Sequence, residues 1–241
     1  MGMLYWGDPT WLLAIPIMIM VFWAQARVKS AFGEWSEVGT RSGVTAAEVA
    51  RDILDKNGLT DIPVEYVEGH LSDHYDPKAR VVRLSASTYN SRSVAAIGVA
   101  AHEVGHAIQH DHAYVPLTMR NMIFPIARIG DQLGPLIVMA GLFFAFMTRG
   151  ATTPWALMLV DIGIILFALA VGFYIVTLPV EYNASSRAVA ILETGGYMTP
   201  DEVRGAKKVL NAAALTYVAA AAGAVMMLIR LLILRDRARR D

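Results

Sequence analysis

Two histidines and a glutamate stand close together in the segment His102-Glu103-Val104-Gly105-His106. Residues four apart share one face of an α-helix, so His102 and His106 can present two imidazole nitrogens to one tetrahedral ion. Glu103 then points beside them, where its carboxylate can take a proton from a water molecule that the ion activates. The spacing therefore predicts a catalytic zinc site with Glu103 as its general base.

A histidine pair that merely packs in a core is the alternative to this metal site. From Ser93 to about His110 the chain is nearly all small or apolar and contains no proline, which predicts a helix buried on most sides. Two histidines and a glutamate are costly to bury there unless they have a role. The chain also lacks cysteine, so any metal must be held by His, Asp or Glu.

The motif does not supply the third ligand, and two nearby histidines fit that role poorly. His112 stands six residues after His106, which is the spacing of the third ligand in metzincins. In metzincins a glycine three residues after the second histidine lets the chain turn back. Here that position is occupied by Gln109. His110 lies one turn beyond His106, and three histidines along a straight helix span about 12 Å. An acidic ligand from later in the chain is therefore favoured, with His112 as the alternative.

Four apolar runs indicate the elements that carry these residues. The chain is 55% hydrophobic with a positive mean hydropathy, and a helix needs about 20 residues to cross a bilayer. Its formal net charge is zero, so no global field favours nucleic acid as a partner. We predict a single membrane-integrated domain over residues 1–241, with spans at about 8–27, 128–147, 155–178 and 211–234 and polar catalytic segments at 28–120 and 179–210.

The charges around the first span predict the topology. No basic residue precedes this span, whereas Arg27 and Lys29 follow it, so the positive-inside rule places residues 27–120 in the cytoplasm and the turn around Thr148 to Pro154 outside. The basic tail from Arg235 to Arg240 opposes this topology. In a three-span alternative the last run is a buried or interfacial helix and the tail returns to the cytoplasm.

Topology also narrows the choice of the acidic ligand. Only segments separated from the motif by an even number of spans reach its side of the membrane, which leaves the segment from Glu181 to about Lys208. Glu181 follows Pro179 at the membrane edge, where we expect a new helix to open, and we predict it as the third ligand. The alternative is a carboxylate that a helix N-terminus stabilises. Asp161 and Arg230, in the third and fourth spans, are expected to form a structural ion pair.

The polar segment before the motif predicts a small α+β unit. Thr45 and Glu48 form a capping box for a helix that Gly58 ends. The ranges 64–67 and 80–84 are predicted strands, and Asp76-Pro77 is a turn signal between them. The fold class is thus a mainly α membrane protein of about four transmembrane helices with a small zincin-like α+β catalytic unit and a short β-hairpin. We expect the strand at 80–84 to be an edge that pairs with extended substrate.

Four longer motifs stand out: Leu71-Ser72-Asp73-His74-Tyr75-Asp76-Pro77, residues 94–109, Pro179-Val180-Glu181-Tyr182-Asn183-Ala184-Ser185, and residues 212–219. They resemble the YugP-like bacterial membrane zinc metallopeptidases, also called the neutral zinc metallopeptidase family. The resemblance implies a gluzincin-type site with one Zn²⁺ per chain, His102, His106 and Glu181 as ligands and Glu103 as the base. It implies a multi-pass endopeptidase of the bacterial inner membrane, with a protein or peptide substrate and the lipid bilayer as partners, and the charges around the first span predict its active site on the cytoplasmic side.

The chain is more distantly similar to membrane proteases of the heat-shock and prenyl-protein type. Their second motif is Glu-x-x-Ala-Asp, and its last position here is Ser185, so the acidic partner that would orient a ligand histidine is not identified.

Oxyanion donors are expected in the same matching segments. His74 and Arg187 rank first as catalytic candidates, ahead of Tyr75 and Tyr182. His74 has a surface turn as its alternative role, and Arg187 has contact with lipid headgroups.

Two other functions compete with proteolysis. A zinc-stabilised membrane scaffold without catalysis would keep the metal, but the intact Glu103 argues against it. A transporter or channel would need ionisable residues along several spans, and Asp161 and Arg230 are nearly alone there. The sequence therefore favours the peptidase.

Overall fold

The computed structural model describes residues 9–147 and 154–240. Residues 148–153 of the turn expected around Thr148 to Pro154 lie outside the described residues. Residue 8, at the start of the first predicted span, also lies outside them. Within the described ranges the chain forms a 3-10 turn at Pro9–Leu13 and then, in order, α1 Ala14–Ser36, α2 Ala46–Lys56, β1 Val64–Val67, β2 His74–Asp76, β3 Val81–Ser85, α3 Val94–Asp111, α4 Val115–Met147, α5 Pro154–Thr194 and α6 Pro200–Arg240.

Four helical stretches among the described residues are long and apolar enough to cross a membrane. They are residues 9–36, α4, α5 and α6, and each contains one of the predicted spans. The protein is therefore a mainly α-helical membrane protein with a small sheet, as the sequence predicts. Helices α5 and α6 have 41 residues each, about twice what a bilayer requires.

Helix α5 corrects one expectation, because it passes through Pro179 without a break. A separate helix was expected to open at Glu181, just after Pro179, and proline lacks an N–H and disfavours a helix interior. The cost is about one hydrogen bond, and long apolar helices tolerate it when neighbouring groups satisfy the freed carbonyl. Glu181 thus stands inside a helix rather than at its beginning.

The described chain divides into two compact units. The helical unit comprises residues 9–23, 119–147, 154–178 and 217–240, and the α/β unit comprises residues 24–118 and 179–216. In the helical unit α4 and α5 pack through glycines, since a Cβ at Gly163 would lie 2.7 Å from the carbonyl oxygen of Gly134. Close backbone approach through small residues is a common way for helices to associate in membranes.

The ion pair expected between Asp161 and Arg230 is a wrong prediction. Asp161 pairs instead with Arg235 at 2.5 Å and with Arg239 at 2.9 Å, while Nε of Arg230 donates to the Thr10 hydroxyl at 3.2 Å. Arg230 and Arg235 are five residues apart, which rotates them by about 140° around α6. Depth in the membrane predicts which turn of α6 carries the paired arginine, but it does not predict the face of the helix on which that arginine lies.

The α/β unit contains a three-stranded sheet in the order β1-β3-β2. Both predicted strands exist, but β1 and β3 pair in parallel, and the hairpin is made by β2 and β3 around the predicted turn at residues 77–80. Strand β3 is therefore central, and the expectation that it is an open edge is wrong. Strand β2 was missed because it has only three residues, His74-Tyr75-Asp76, which is too short for an alternating pattern.

Helix α3 runs through the core of the α/β unit. Ser93 caps its first turn by accepting from the N–H of Ala96, and 14 of its 18 residues are buried, so the prediction of a buried helix is confirmed. The capping box of Thr45 and Glu48 also forms, at the start of α2. Small residues let α3 approach its neighbours, and a Cβ at Gly98 would lie 3.2 Å from the Ala206 side chain.

Candidate metal centre

Helices α3 and α5 bring two imidazoles and a carboxylate together. His102 and His106 stand one turn apart on α3, and each directs its Nε2 atom at Oε2 of Glu181 on α5, at 3.3 and 3.5 Å respectively. One ligand atom from each of the three residues lies within 4.8 Å of the others, and within the described residues this is the group suited to a metal ion. Residues 75 to 79 positions apart in sequence thus converge on one point.

Two of the three spacings among these atoms match a tetrahedral zinc site. Zinc binds histidine nitrogen and carboxylate oxygen at about 2.0–2.2 Å, and two ligands of a tetrahedron with bonds of about 2.05 Å are separated by about 3.3 Å. The two distances from Glu181 Oε2 to the histidine nitrogens match that edge. Two imidazoles and one carboxylate leave a fourth position for water, which is the ligand set of a catalytic rather than a structural site.

The centre is buried and rich in ionisable groups. Glu181 is 3% exposed, and Glu103 and His106 are each 9% exposed. Burial by itself lowers the pKa of His106, but the hydrogen bond to Glu181 and the charges of Glu103 and Glu181 outweigh it and raise this pKa above its usual value. Two buried carboxylates beside two imidazoles are stabilised by positive charge, and a divalent cation supplies it.

His102 has a hydroxyl as its outer partner. Oγ of Ser185 lies 3.1 Å from Nδ1 of His102, on the side of the ring away from Glu181. The contact that orients this histidine is therefore made by a neutral residue.

His106 has an amide as its outer partner. Its Nδ1 lies 3.0 Å from Oε1 of Gln109, and Nε2 of Gln109 donates to the carbonyl of Val180 at 2.8 Å and to Oδ1 of Asn183 at 2.9 Å. Nε of Arg187 donates to the same Asn183 oxygen at 2.8 Å. Arg187, expected as an oxyanion donor, is thus connected to His106 through two amides.

The predicted general base is held by strand β2. Oε2 of Glu103 accepts a hydrogen bond from the backbone N–H of Tyr75 at 2.9 Å, and the hydroxyl of Tyr75 lies 2.8 Å from Nδ1 of His110 on α3. Burial raises the pKa of Tyr75, so its hydroxyl keeps its proton and can either donate to Nδ1 of His110 or accept from it, depending on the tautomer of that ring. Tyr75 therefore connects β2 to α3 at two points, Glu103 and His110.

The remaining predicted residues are not members of the three-ligand group. His74 is exposed, and its Nδ1 lies 2.8 Å from the carbonyl of Ser72. A carbonyl only accepts, so Nδ1 carries the proton and the neutral ring has no N–H at Nε2; donation from that atom to an oxyanion requires the protonated ring. Tyr182 is exposed on α5, and His112 is the exposed C-cap of α3, outside the ligand group.

Comparison with known proteins supports a metal centre of this kind through the family to which the chain is assigned. Residues 10–236 match the model of the family described as "Putative neutral zinc metallopeptidase". The chain belongs to this family. It is also 49% identical over 218 residues to the "Putative membrane protease YugP" of Bacillus subtilis (strain 168), covering 90% of this chain and 92% of that protein. No solved structure shows a significant match.

Membership of the neutral zinc metallopeptidase family supports zinc as the ion for the three-ligand group and proteolysis as the general activity. The resemblance inferred from the sequence motifs is therefore confirmed. The roles of the individual site residues rest on the geometry.

The residues that sequence reasoning missed are the outer partners of the histidines. Gln109 enters the sequence prediction only as the absence of a glycine, although it is one of the few polar residues outside the motif in the second half of α3. Ser185 was noted as the loss of an acid, and Asn183 was not singled out. Helical periodicity could have pointed to both residues. Gln109 stands three residues after His106 and Ser185 stands four after Glu181, so each lies on the same helical face as the ligand that precedes it.

Proposed function

We propose that this protein is a zinc-dependent, membrane-bound endopeptidase that hydrolyses peptide bonds in membrane or membrane-proximal proteins. The observation that carries the proposal is the convergence of His102, His106 and Glu181 beside a buried carboxylate, Glu103. The family match and the membrane protease relative support the same class of activity.

The chain's own residues divide the chemistry between them. A zinc ion, when bound, acts as a Lewis acid that makes water nucleophilic near neutral pH and polarises a carbonyl. Glu103 takes the proton from the attacking water and then delivers it to the leaving amine. Because the Tyr75 N–H holds Oε2 of Glu103, Oε1 is the oxygen that takes the proton.

Strand β2 offers the place for a substrate backbone. It is an edge strand, and the Tyr75 N–H points away from β3 toward Glu103. An extended peptide added to this edge runs directly beside the general base, in the manner of β-strand addition. This replaces β3, the strand for which the sequence suggested that role.

The membrane side of the site follows from charge. Arg27 and Lys29, which follow the first apolar stretch, favour a cytoplasmic location for the segment that carries the motif. We therefore place the active site on the cytoplasmic side of a bacterial inner membrane, with one zinc per chain, the bilayer and a protein or peptide substrate as partners, and no nucleic acid.

The test is the metal content and activity of the purified full-length chain in detergent or nanodiscs. We expect about one zinc per chain and cleavage of an unfolded protein such as casein. Glu103→Gln should keep the zinc and lower cleavage at least about 100-fold, since it removes the base but no ligand. Glu193→Gln, an exposed acid on α5, is the matched control and should change neither. Full activity in Glu103→Gln, or a wild type without zinc, would overturn the proposal.

A further inference from the structure

Gln109 is a fully buried side chain whose amide contacts three groups. It is 0% exposed, its nitrogen donates to the Val180 carbonyl and to Oδ1 of Asn183, and its oxygen lies against Nδ1 of His106. Buried amides are normally satisfied in this way. The amide of Gln109 differs from most buried amides because its orientation is determined by groups that can only donate or can only accept a hydrogen bond.

Two such groups determine the direction of every bond in the chain of contacts. The Val180 carbonyl can only accept, so the NH₂ end of Gln109 must face it. The Arg187 guanidinium can only donate, so Asn183 must turn its oxygen toward Arg187 and Gln109. A flipped Gln109 would point its oxygen at two acceptors. Oε1 of Gln109 is therefore held toward His106.

The tautomer of His106 follows from this orientation. Facing an amide oxygen, Nδ1 of His106 carries a proton, so the neutral ring has its lone pair on Nε2. Nε2 is the atom that lies 3.5 Å from Glu181 Oε2. Gln109 thus favours the tautomer that a metal ligand needs before any ion arrives, whereas the Glu181 carboxylate favours a proton on Nε2.

His102 lacks this selection. Its partner is the Ser185 hydroxyl, which can donate or accept, so either tautomer of His102 keeps the hydrogen bond. The side chains of His102 and His106 are exposed to similar extents, 14% and 11%, so the two histidines differ in the hydrogen-bonding sense of their partners rather than in access to water. The two ligand histidines are therefore prepared for metal to different degrees.

We propose that Gln109 is the positioning residue that presets His106 as an Nε2 ligand, with Asn183 and Arg187 as the groups that keep its amide from turning. The inference rests on the proposed zinc site and deepens it, because it names a residue that determines metal affinity without touching metal or substrate. Gln109 contributes more to zinc binding than Ser185 does, although each contacts one ligand histidine.

Zinc affinity of the full-length chain, measured by competition with a chromophoric chelator, tests this ranking. Gln109→Leu should weaken zinc binding by about 10- to 100-fold, the usual effect of removing an outer partner of a metal ligand. Ser185→Ala is the matched variant on the other histidine and should weaken it by less than about threefold, because the hydroxyl can donate or accept and so selects neither tautomer of His102. Equal losses in the two variants, or wild-type affinity in Gln109→Leu, would overturn the proposal.

Two further measurements separate positioning from simple loss of fold. Arg187→Gln changes a partly exposed residue outside the buried core. It should still lower zinc affinity by about two- to fivefold, because Asn183 loses the donor that fixes its oxygen. An unchanged zinc affinity would count against the role of Arg187 and Asn183 in orienting Gln109. The chain has six histidines, and ¹⁵N spectra of the metal-free wild type, recorded at a pH where the rings are neutral, should show the rings of His74 and His106 held as the Nδ1–H tautomer. Only the His106 signal should become mixed in Gln109→Leu. The same tautomer in both proteins would refute the role of Gln109.

These outcomes are distinct from failure of the proposed function. A wild type that binds no zinc rejects the zinc peptidase itself. A wild type that binds zinc without dependence on Gln109 rejects only the positioning role.

Discussion

Gly105 of α3 lies directly against the backbone of Ala184 in α5. A Cβ atom at Gly105 would come within 2.8 Å of the Ala184 carbonyl oxygen and within 3.3 Å of two further backbone atoms. The glycine thereby sets the distance between the helix of His102 and His106 and the helix of Glu181. One of the two variable positions of the zinc motif is thus constrained by helix packing rather than by zinc chemistry.

Replacing Gly105 by alanine should therefore damage the metal centre. The added methyl group meets backbone that cannot turn aside, so α3 and α5 must separate by a fraction of an ångström or more. Misplacement on this scale is expected to lower cleavage by about 10- to 100-fold and to weaken zinc binding in parallel. Activity and zinc affinity of Gly105→Ala measure the effect.

Gly172→Ala provides the control for that substitution. Gly172 also lies in a helix, α5, but a Cβ there meets no other atom within 4 Å, and alanine is the better helix former by about 1 kcal/mol. We expect unchanged zinc binding and equal or higher stability. If Gly105→Ala behaves like Gly172→Ala, the close approach of α3 and α5 does not determine the site.

The identity of the third ligand gives a second prediction. Glu181→Ala removes a carboxylate oxygen 3.3 and 3.5 Å from the two histidine nitrogens. Since loss of an outer partner alone costs about 10- to 100-fold in metal affinity, loss of this ligand should cost more than about 100-fold. His112→Ala should leave affinity unchanged, because His112 is exposed beyond the end of α3. The reverse result would assign the third ligand to His112.

Tyr75 gives a third prediction, which separates catalysis from metal binding. Tyr75→Phe removes the hydroxyl bonded to His110 but keeps the backbone N–H that holds Glu103. A lost hydrogen bond of this kind is worth about 0.5–1.5 kcal/mol, so kcat/KM should fall by about two- to tenfold while zinc content stays the same.

Tyr66→Phe, on the exposed strand β1, is the matched control for Tyr75→Phe and should cleave like the wild type. Loss of zinc from Tyr75→Phe would assign Tyr75 a role in the metal centre instead of in the position of β2.

The elements that sequence predicted correctly are those with strong local signals. The buried helix around the motif follows from its small apolar residues and the Ser93 cap, and the four apolar stretches follow from length and composition. The zinc motif named His102, Glu103 and His106 because two ligands and a base within five residues require only local helical geometry. Glu181 came from topology and resemblance, and the structure brings it to the same point.

The features that sequence could not supply depend on tertiary contacts. Continuity of α5 through Pro179 depends on its surroundings rather than on the local preference of proline. The central position of β3 depends on β2, whose three residues carry no periodic signal. The outer partners Gln109 and Ser185 were visible as residues, but which histidine each would meet requires the relative rotation of α3 and α5.

The corrected ion pair in the helical unit gives a fourth prediction. Asp161 contacts Arg235 and Arg239, so a double-mutant cycle between Asp161→Asn and Arg235→Gln should give a coupling free energy of about 0.5–2 kcal/mol. The pair is partly exposed, at 32% and 26% for the two side chains, which places it between surface and buried pairs in strength.

The same cycle with Arg230→Gln in place of Arg235→Gln should give a coupling near zero, measured by unfolding in mixed micelles. Coupling of Asp161 to Arg230 and not to Arg235 would restore the pairing expected from sequence.

Protons compete with zinc for His106, which gives a fifth prediction. In the metal-free protein the pKa of His106 is raised above its ordinary value, because the bond to Glu181 and the charges of Glu103 and Glu181 outweigh the effect of burial. Only the ring with a free Nε2 lone pair binds metal. Zinc affinity should therefore be constant above the raised pKa and fall as pH drops below it, about tenfold per pH unit for each proton displaced.

The decline should begin above about pH 6.5, the ordinary pKa of histidine. Glu181→Gln removes one of the two negative charges that raise the pKa, so its weaker affinity should remain constant down to a lower pH than in the wild type. Chelator competition between about pH 5.5 and about pH 8.5 compares the two curves. If zinc affinity begins to fall at the same pH in the wild type and in Glu181→Gln, Glu181 does not face His106 in solution. A carboxylate at 3.5 Å from Nε2 must favour the protonated ring.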